Sequence, residues 1–211
     1  FESVFYLNLS ETLRKSYQLD QSLSVLYLAK ILSLKDTSID YKLAKLNTKL
    51  KNFEKSNLIY VDLIQDKNLN KERILSYCDN LIKFKKEDQV ISFIKKFEDR
   101  FSSDDSFQAI LGLAFYQKKE IDKAKKFILN AISLNKNNSH AFTFLGDGYA
   151  AEGDLKNAKI NYENSLAIHP NNKMALNNLA ALSFFNGDFV KAEKIYKLSL
   201  SNNENNYDAM Y

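Results

Sequence analysis

Proline occurs once, glycine five times and tryptophan not at all in 211 residues. Average usage would supply about 12% of Gly and Pro together. An antiparallel sandwich or barrel needs a turn roughly every 8–12 residues, so a chain this poor in turn formers is excluded from those folds. The single cysteine, Cys78, excludes an internal disulfide and any multi-thiolate metal site. Long apolar runs are also missing. The longest stretch without a charge, Met174 to Gly187, falls short of the ~18 apolar residues of a membrane span. Disorder is excluded in turn by 45% hydrophobic and 27% charged residues. What remains is a soluble, helix-rich, folded protein.

Arginine is scarce too. Only Arg14, Arg73 and Arg100 stand among the 30 basic residues, and the net charge is +4. Nucleic-acid binders concentrate forked and compact cations on one face, where they release counterions. Here lysines alternate with acids, as from Lys83 to Asp88, which is the pattern of a solvated helix face. No nucleic-acid partner is expected. The excess of Lys and Asn over Arg matches the coding bias of an AT-rich, bacterial genome. The chain opens at Phe1 with neither an initiator Met nor a charged-then-apolar leader, so it reads as processed or as a piece of a longer chain.

What is there is a period. From Ser139 to Asn172 the residues Phe142, Leu145, Gly146, Tyr149, Ala158, Tyr162 and Pro170 give aromatic-x2-Leu-Gly-x2-Tyr, then Ala-x3-Tyr, then Pro. Stepping by 34 yields windows at 3–36, 37–70, 71–104, 105–138, 139–172 and 173–206. Their seventh places read Leu9, Leu43, Tyr77, Leu111, Leu145 and Leu179. The eighth read Ser10, Ala44, Cys78, Gly112, Gly146 and Ala180, small after large each time. This spacing resembles the tetratricopeptide repeat (TPR), with Phe for the usual Trp and Tyr for the usual Phe.

Helix geometry accounts for the period. Places 4, 7, 8 and 11 follow i, i+3, i+4, i+7, one face of a first helix. Places 17, 20, 24, 27 and 28 make a second, as in Ile121, Ala124, Ile128, Ala131 and Ile132. Two antiparallel helices approach closely only where side chains are small, hence the small eighth and twentieth places. One hairpin cannot bury both apolar faces, so hairpins stack into an all-α solenoid. The chain is expected to be one such array of six repeats. The second window, with Asp40 and Asn47 on core places, and the third, with Glu87, Val90 and Phe97, are expected to pack irregularly. Tyr207 to Tyr211 begins a further first helix. Tyr207 and Met210 there would be exposed apolar residues, so the natural chain is expected to continue, and self-association through that end is an expectation as well.

Catalytic chemistry is hard to place in this frame. His169 lies in the turn His-Pro-Asn-Asn and reads as solvated. His140 has no nearby second metal ligand. Cys78 fills a packing place and reads as a core residue rather than a nucleophile. No phosphate loop exists, because Gly153 and Gly187 sit between helices and no strand precedes them. Asp104 and Asp105, at a window junction, can cap the next helix. No enzyme, cofactor or metal is expected.

The resemblance implies that first helices line a concave groove through places 2, 5, 9, 12 and 13. In the first two windows these hold Glu11, Arg14, Lys15, Tyr41, Lys45, Thr48 and Lys49. In the last three they include Ala109, Leu113, Tyr116, His140, Thr143, Asp147, Asn177, Ala181 and Phe184. One part is basic, the other apolar with a few polar groups. Asn177 and Asn178 can bond the main chain of an extended ligand. For Leu113 and Phe184 two readings stand, groove wall or packing against a neighbouring repeat. The carboxylate clamp of some family members is incomplete here in any three consecutive windows.

The expected function is a non-catalytic protein–protein interaction scaffold. It would hold a partner peptide or helix, acidic toward the first repeats and apolar toward the last. A docking or regulatory part of a larger enzyme or envelope-assembly protein is an alternative, and an RNA-binding helical repeat is another. The strict 34-residue step argues against the last. Compartment is left open between cytoplasm and cell envelope.

Overall fold

A computed structural model of the chain describes residues 2–64 and 70–201. Among these residues every regular element is a helix. Residues 207–211, and with them the expected further helix, Tyr207, Met210 and self-association through that end, lie outside the described residues.

The chain divides into two compact units, Phe1–Lys86 and Glu87–Tyr211. The first holds α1 (Glu2–Lys15), α2 (Leu19–Leu32), α3 (Thr37–Lys49), α4 (Phe53–Ile64) and α5 (Lys71–Lys83). Within it α1 packs on α2, α2 on α3, α3 on α4 and α4 on α5. The second holds α6 (Glu87–Lys96), the single turn α7 (Glu98–Phe101), α8 (Asp105–Gln117), α9 (Ile121–Leu134), α10 (Ser139–Ala151), α11 (Leu155–Ile168), α12 (Lys173–Phe185) and α13 (Phe189–Ser201). There α8–α9, α10–α11 and α12–α13 are hairpins, each joined to the next through its second helix. Both units are all-α stacks of antiparallel helix hairpins, the solenoid arrangement.

The five first helices after α1 start the same way. Asp36, Asn70, Asp104, Asn138 and Asn172, spaced by 34, cap α3, α5, α8, α10 and α12 by accepting a bond from a backbone N–H two or three residues on. Such a cap is worth about 1 kcal/mol. Asn172 does more, since its Nδ2 also donates to Thr143 Oγ1 at 3.1 Å and Ser165 Oγ at 2.8 Å.

Each first helix also stops the same way. Tyr17, Lys51, Lys85, Lys119, Gly153 and Gly187, again 34 apart, all have positive φ between 56° and 80°. The residue after each returns its N–H to the carbonyl five back, as in Asn52 to Asn47, Glu120 to Phe115 and Asp154 to Tyr149. This is the Schellman closure. Only two of the six positions have glycine, so four side chains are forced into a left-handed conformation costing about 1–2 kcal/mol each.

Close packing explains the small places. A Cβ on Gly112 would lie 2.4 Å from Ile128 Cγ1 and 3.2 Å from the Ala124 carbonyl oxygen. One on Gly146 would lie 2.5 Å from the Tyr162 ring. Cys78, Ala44 and Ala180 are fully buried at the same place. Burial pushes the Cys78 thiol up to about 12, so it stays protonated.

The polar residues on core places find partners. Asn47 is fully buried, with Nδ2 donating to the Leu43 carbonyl and Oδ1 accepting from Asn52. Asp40 pairs with Lys30 at 2.6 Å. In the third window the second helix ends early, at Lys96, and the chain turns again through α7. Phe93, Phe97, Phe101 and Phe107 form a ring ladder there, with Phe101 stacked on Phe107 at 3.9 Å. A bulky Phe97 where small residues are usual lets aromatic contact replace helical continuation.

Candidate functional site

In the first unit α1, α2 and α3 line a cleft of about 420 Å³. Its floor is Leu7, Leu26 and Leu46, and its rim carries Arg14, Lys42, Lys45 and Lys49 against one carboxylate, Glu11. Arg14 grips Glu11 with both Nε, at 2.9 Å, and a terminal nitrogen. That hydrogen bond holds the Glu11 carboxyl below its usual range. The charge of Arg14 is therefore answered locally. Among the described residues neither Lys42 nor Lys45 enters an ion pair.

Tyr41 is the fixed wall of this cleft. Its hydroxyl donates to Glu72 at 2.8 Å and lies 2.8 Å from Ser76 Oγ, both on α5. Its ring sits below Lys45 Nζ, 5.2 Å from the centroid. A ring under an ammonium adds a cation–π contact of about 0.5–1 kcal/mol at such exposure. The cleft can thus take an anion beside an apolar group.

Arg14, Lys45 and Lys49, taken from the sequence as groove residues, do meet in this one cleft. Thr48 and Lys15 are not among its lining residues. Thr48 turns into the core, 2.6 Å from Ser56 Oγ and donating to Asn80 Oδ1 at 2.9 Å. Lys42 and the leucine floor were missed. The signal was available in Lys42, one residue past Tyr41, but its place is not among those the resemblance assigns to the groove.

In the second unit the expected groove residues divide. Ala109 and Thr143 are buried, at 3% and 0% exposure, and Thr143 Oγ1 lies 2.9 Å from Ser165 Oγ. Neither can line an open surface, because close hairpin packing consumes them. Leu113 and Tyr116 are half-buried, and His140, with its ring 6.4 Å from that of Phe144, is exposed. Phe184 is 53% exposed and packs edge-on against Phe189. Asn177 is half-buried and accepts a bond from Ser199 Oγ at 2.8 Å.

Asp147 is the one carboxylate among the expected groove residues of this unit. Its Oδ1 accepts from Tyr162 Oη at 2.8 Å and from Asn178 Nδ2 at 2.7 Å. Burial pushes its carboxyl up to about 6, and the two hydrogen bonds only partly oppose that. Burial, reinforced by the Asp147 charge, raises the Tyr116 and Tyr162 phenols as well. Tyr162 stands where the resemblance has phenylalanine, and a buried phenol must find an acceptor. That substitution was the readable sign of Asp147's partner.

Helix hairpins capped and closed at a 34-residue step define a helical-repeat protein. Models of the tetratricopeptide repeat match residues 106–138 and 161–194. The second match straddles two windows, taking the end of one hairpin and the start of the next. The chain is a tetratricopeptide repeat protein. No curated protein sequence matches it significantly.

Solved structures share the fold. A tetratricopeptide repeat protein from Parabacteroides merdae ATCC 43184 is 15% identical with a TM-score of 0.76, over 99% of this chain and 81% of that one. MamA from Desulfovibrio magneticus RS-1, residues 41 to the end, is 14% identical with a TM-score of 0.60, over 81% and 96%. YrrB, described as a TPR protein with an unusual peptide-binding site, is 15% identical with a TM-score of 0.50, over 81% and 88%. Among the described residues no helix is long and apolar enough to cross a membrane, and no group of His, Cys, Asp and Glu has metal-site geometry.

Proposed function

We propose that this chain is a non-catalytic scaffold or docking module that holds a segment of a partner protein against its first helices. The observation that carries the reading is the first-unit cleft, where Lys42, Lys45 and Lys49 surround a leucine floor. Such a surface selects an acidic residue next to an apolar one, since the lysines attract the carboxylate and the floor takes the side chain beside it. YrrB, of similar fold and described as having an unusual peptide-binding site, supports a peptide-binding role. In the second unit, Leu113, Tyr116, His140, Asp147, Asn177 and Phe184 would supply the remaining contacts.

Selection of a random peptide library on the chain tests this. Winners should pair Asp or Glu with Leu, Ile or Phe. Reversing two charges with Lys45→Glu and Lys49→Glu should weaken the winners about tenfold or more, at 1.4 kcal/mol per factor of ten. Unchanged affinity in a variant of normal helicity would rule out the cleft.

A further inference from the structure

Charge is segregated among the first helices of the second unit. Neither α8 nor α10 contains a lysine or arginine, and α12 has only Lys173, at its first residue. Between the helix ends of these three elements a single ionisable acid remains, Asp147. The acids on α8's N-terminal side are engaged, Asp104 as its cap and Asp105 with Asn135 and Asn138.

Asp147 itself is half satisfied. Both of its hydrogen bonds, from Tyr162 and Asn178, fall on Oδ1. Among the described residues no donor reaches Oδ2, no cation pairs with the carboxylate, and Oδ2 is not sealed from solvent. Both donors on Oδ1 are neutral, so they orient the carboxylate without cancelling its charge. A half-desolvated carboxylate in that state gains more from an incoming cation than a hydrated one would, because part of the dehydration cost is already met in the fold.

The surroundings are also suited to a cation on an apolar stem. Tyr116 presents a half-buried ring whose phenol feels the Asp147 charge. Leu113 and Ala181, at the ninth place of α8 and α12 as Asp147 is of α10, are half-buried apolar residues in the same register. Lysine and arginine side chains bury their methylenes on such surface while the head group finds a carboxylate.

We infer that Asp147 is the specificity-determining contact of the second unit, and that it receives a lysine or arginine side chain of the partner segment, with Tyr116 beside the cation. This deepens, and presupposes, the groove binding proposed above. It gives the partner a second chemical mark: a basic residue among apolar ones, distinct from the acidic residue that the first-unit cleft selects.

The test is a random dodecapeptide library selected in parallel on the chain, on Asp147→Asn and on Asp147→Lys. A Lys45→Ala/Lys49→Ala form is included so that ligands of the basic cleft do not mask the second site. The wild-type and Lys45→Ala/Lys49→Ala pools should fix a Lys or Arg position, the Asp147→Asn pool should lose it, and the Asp147→Lys pool should fix Asp or Glu instead. Replacing that Lys by norleucine in a winning peptide should weaken wild-type binding about tenfold or more and leave Asp147→Asn binding unchanged. Circular dichroism identifies any variant that has unfolded, and Asp147→Asn, nearly isosteric, keeps the comparison valid if Asp147→Lys does not fold. A basic position that persists in the Asp147→Asn pool, or pools that converge without one, overturns the assignment to Asp147 and leaves groove binding standing. Folded protein whose pools never converge overturns both.

Discussion

Asp147 is costly to the fold. Its carboxyl holds a proton up to about pH 6 in the folded chain, against about 3.9 when unfolded. The folded state therefore binds the extra proton between those values. The stability this contributes is full below about pH 4 and is lost as pH rises through 6. Asp147→Asn keeps an acceptor for Tyr162 and Asn178 while removing the buried charge. It should be more stable than wild type by about 1–2 kcal/mol at pH 7.5, after allowance for partial exposure, with the gap closing toward pH 4.5. Urea unfolding at the two pH values measures this, and parallel pH profiles for the two proteins would refute it. Next to it, Gly146 holds the Tyr162 ring in place. Gly146→Ala gains about 1 kcal/mol of helix propensity but drives a methyl into a ring tied to Asp147 by its hydroxyl. Overpacking of about 1–3 kcal/mol should win. A lowered thermal midpoint is expected, and a raised one would mean that the ring yields freely.

At the scale of the element, helix ends are what the 34-residue step repeats most faithfully. Gly153 and Gly187 were readable as helix stops, because glycine is the usual residue there. Tyr17, Lys51, Lys85 and Lys119 were not, since nothing in a lysine's own chemistry announces positive φ. They take it because the carbonyls at the end of each first helix must be closed in the same way for the next helix to start on time. Lys119→Gly, at an exposed position with φ 62°, should therefore stabilise the second unit by about 0.5–1 kcal/mol, strain relief outweighing the added freedom of the unfolded chain. Chemical denaturation reports it, and a destabilised variant would show that the lysine's own contacts outweigh the strain. The N-caps were easier to read, with Asp104 expected at its junction and found accepting from Ser106 and Phe107. The short α6 followed by α7 was legible only as irregularity, because Phe97 marks where packing changes but not how the chain turns.

For the whole molecule, periodicity determined most of what the sequence could determine. A strict step with small residues at two fixed places gives hairpins, and hairpins that cannot bury both faces must stack. The family, the all-α class and the pairing of helices follow from that local rule, which needs no long-range information. Candidate groove residues were legible only as register positions. Register says which way a side chain leaves its helix, but not whether the neighbouring hairpin has already closed over it. Ala109 and Thr143 share the register of open positions and are buried, whereas Lys42 does not and lines the cleft. Arg14 has its charge answered by Glu11, and Lys45 is left over a tyrosine ring. Asp147 shows the same division of labour. The sequence put a carboxylate on a first helix. Only packing against α11 and α12 drew Tyr162 and Asn178 onto one oxygen and left the other without a donor, because desolvation and hydrogen-bond geometry depend on distances between elements that periodicity does not encode.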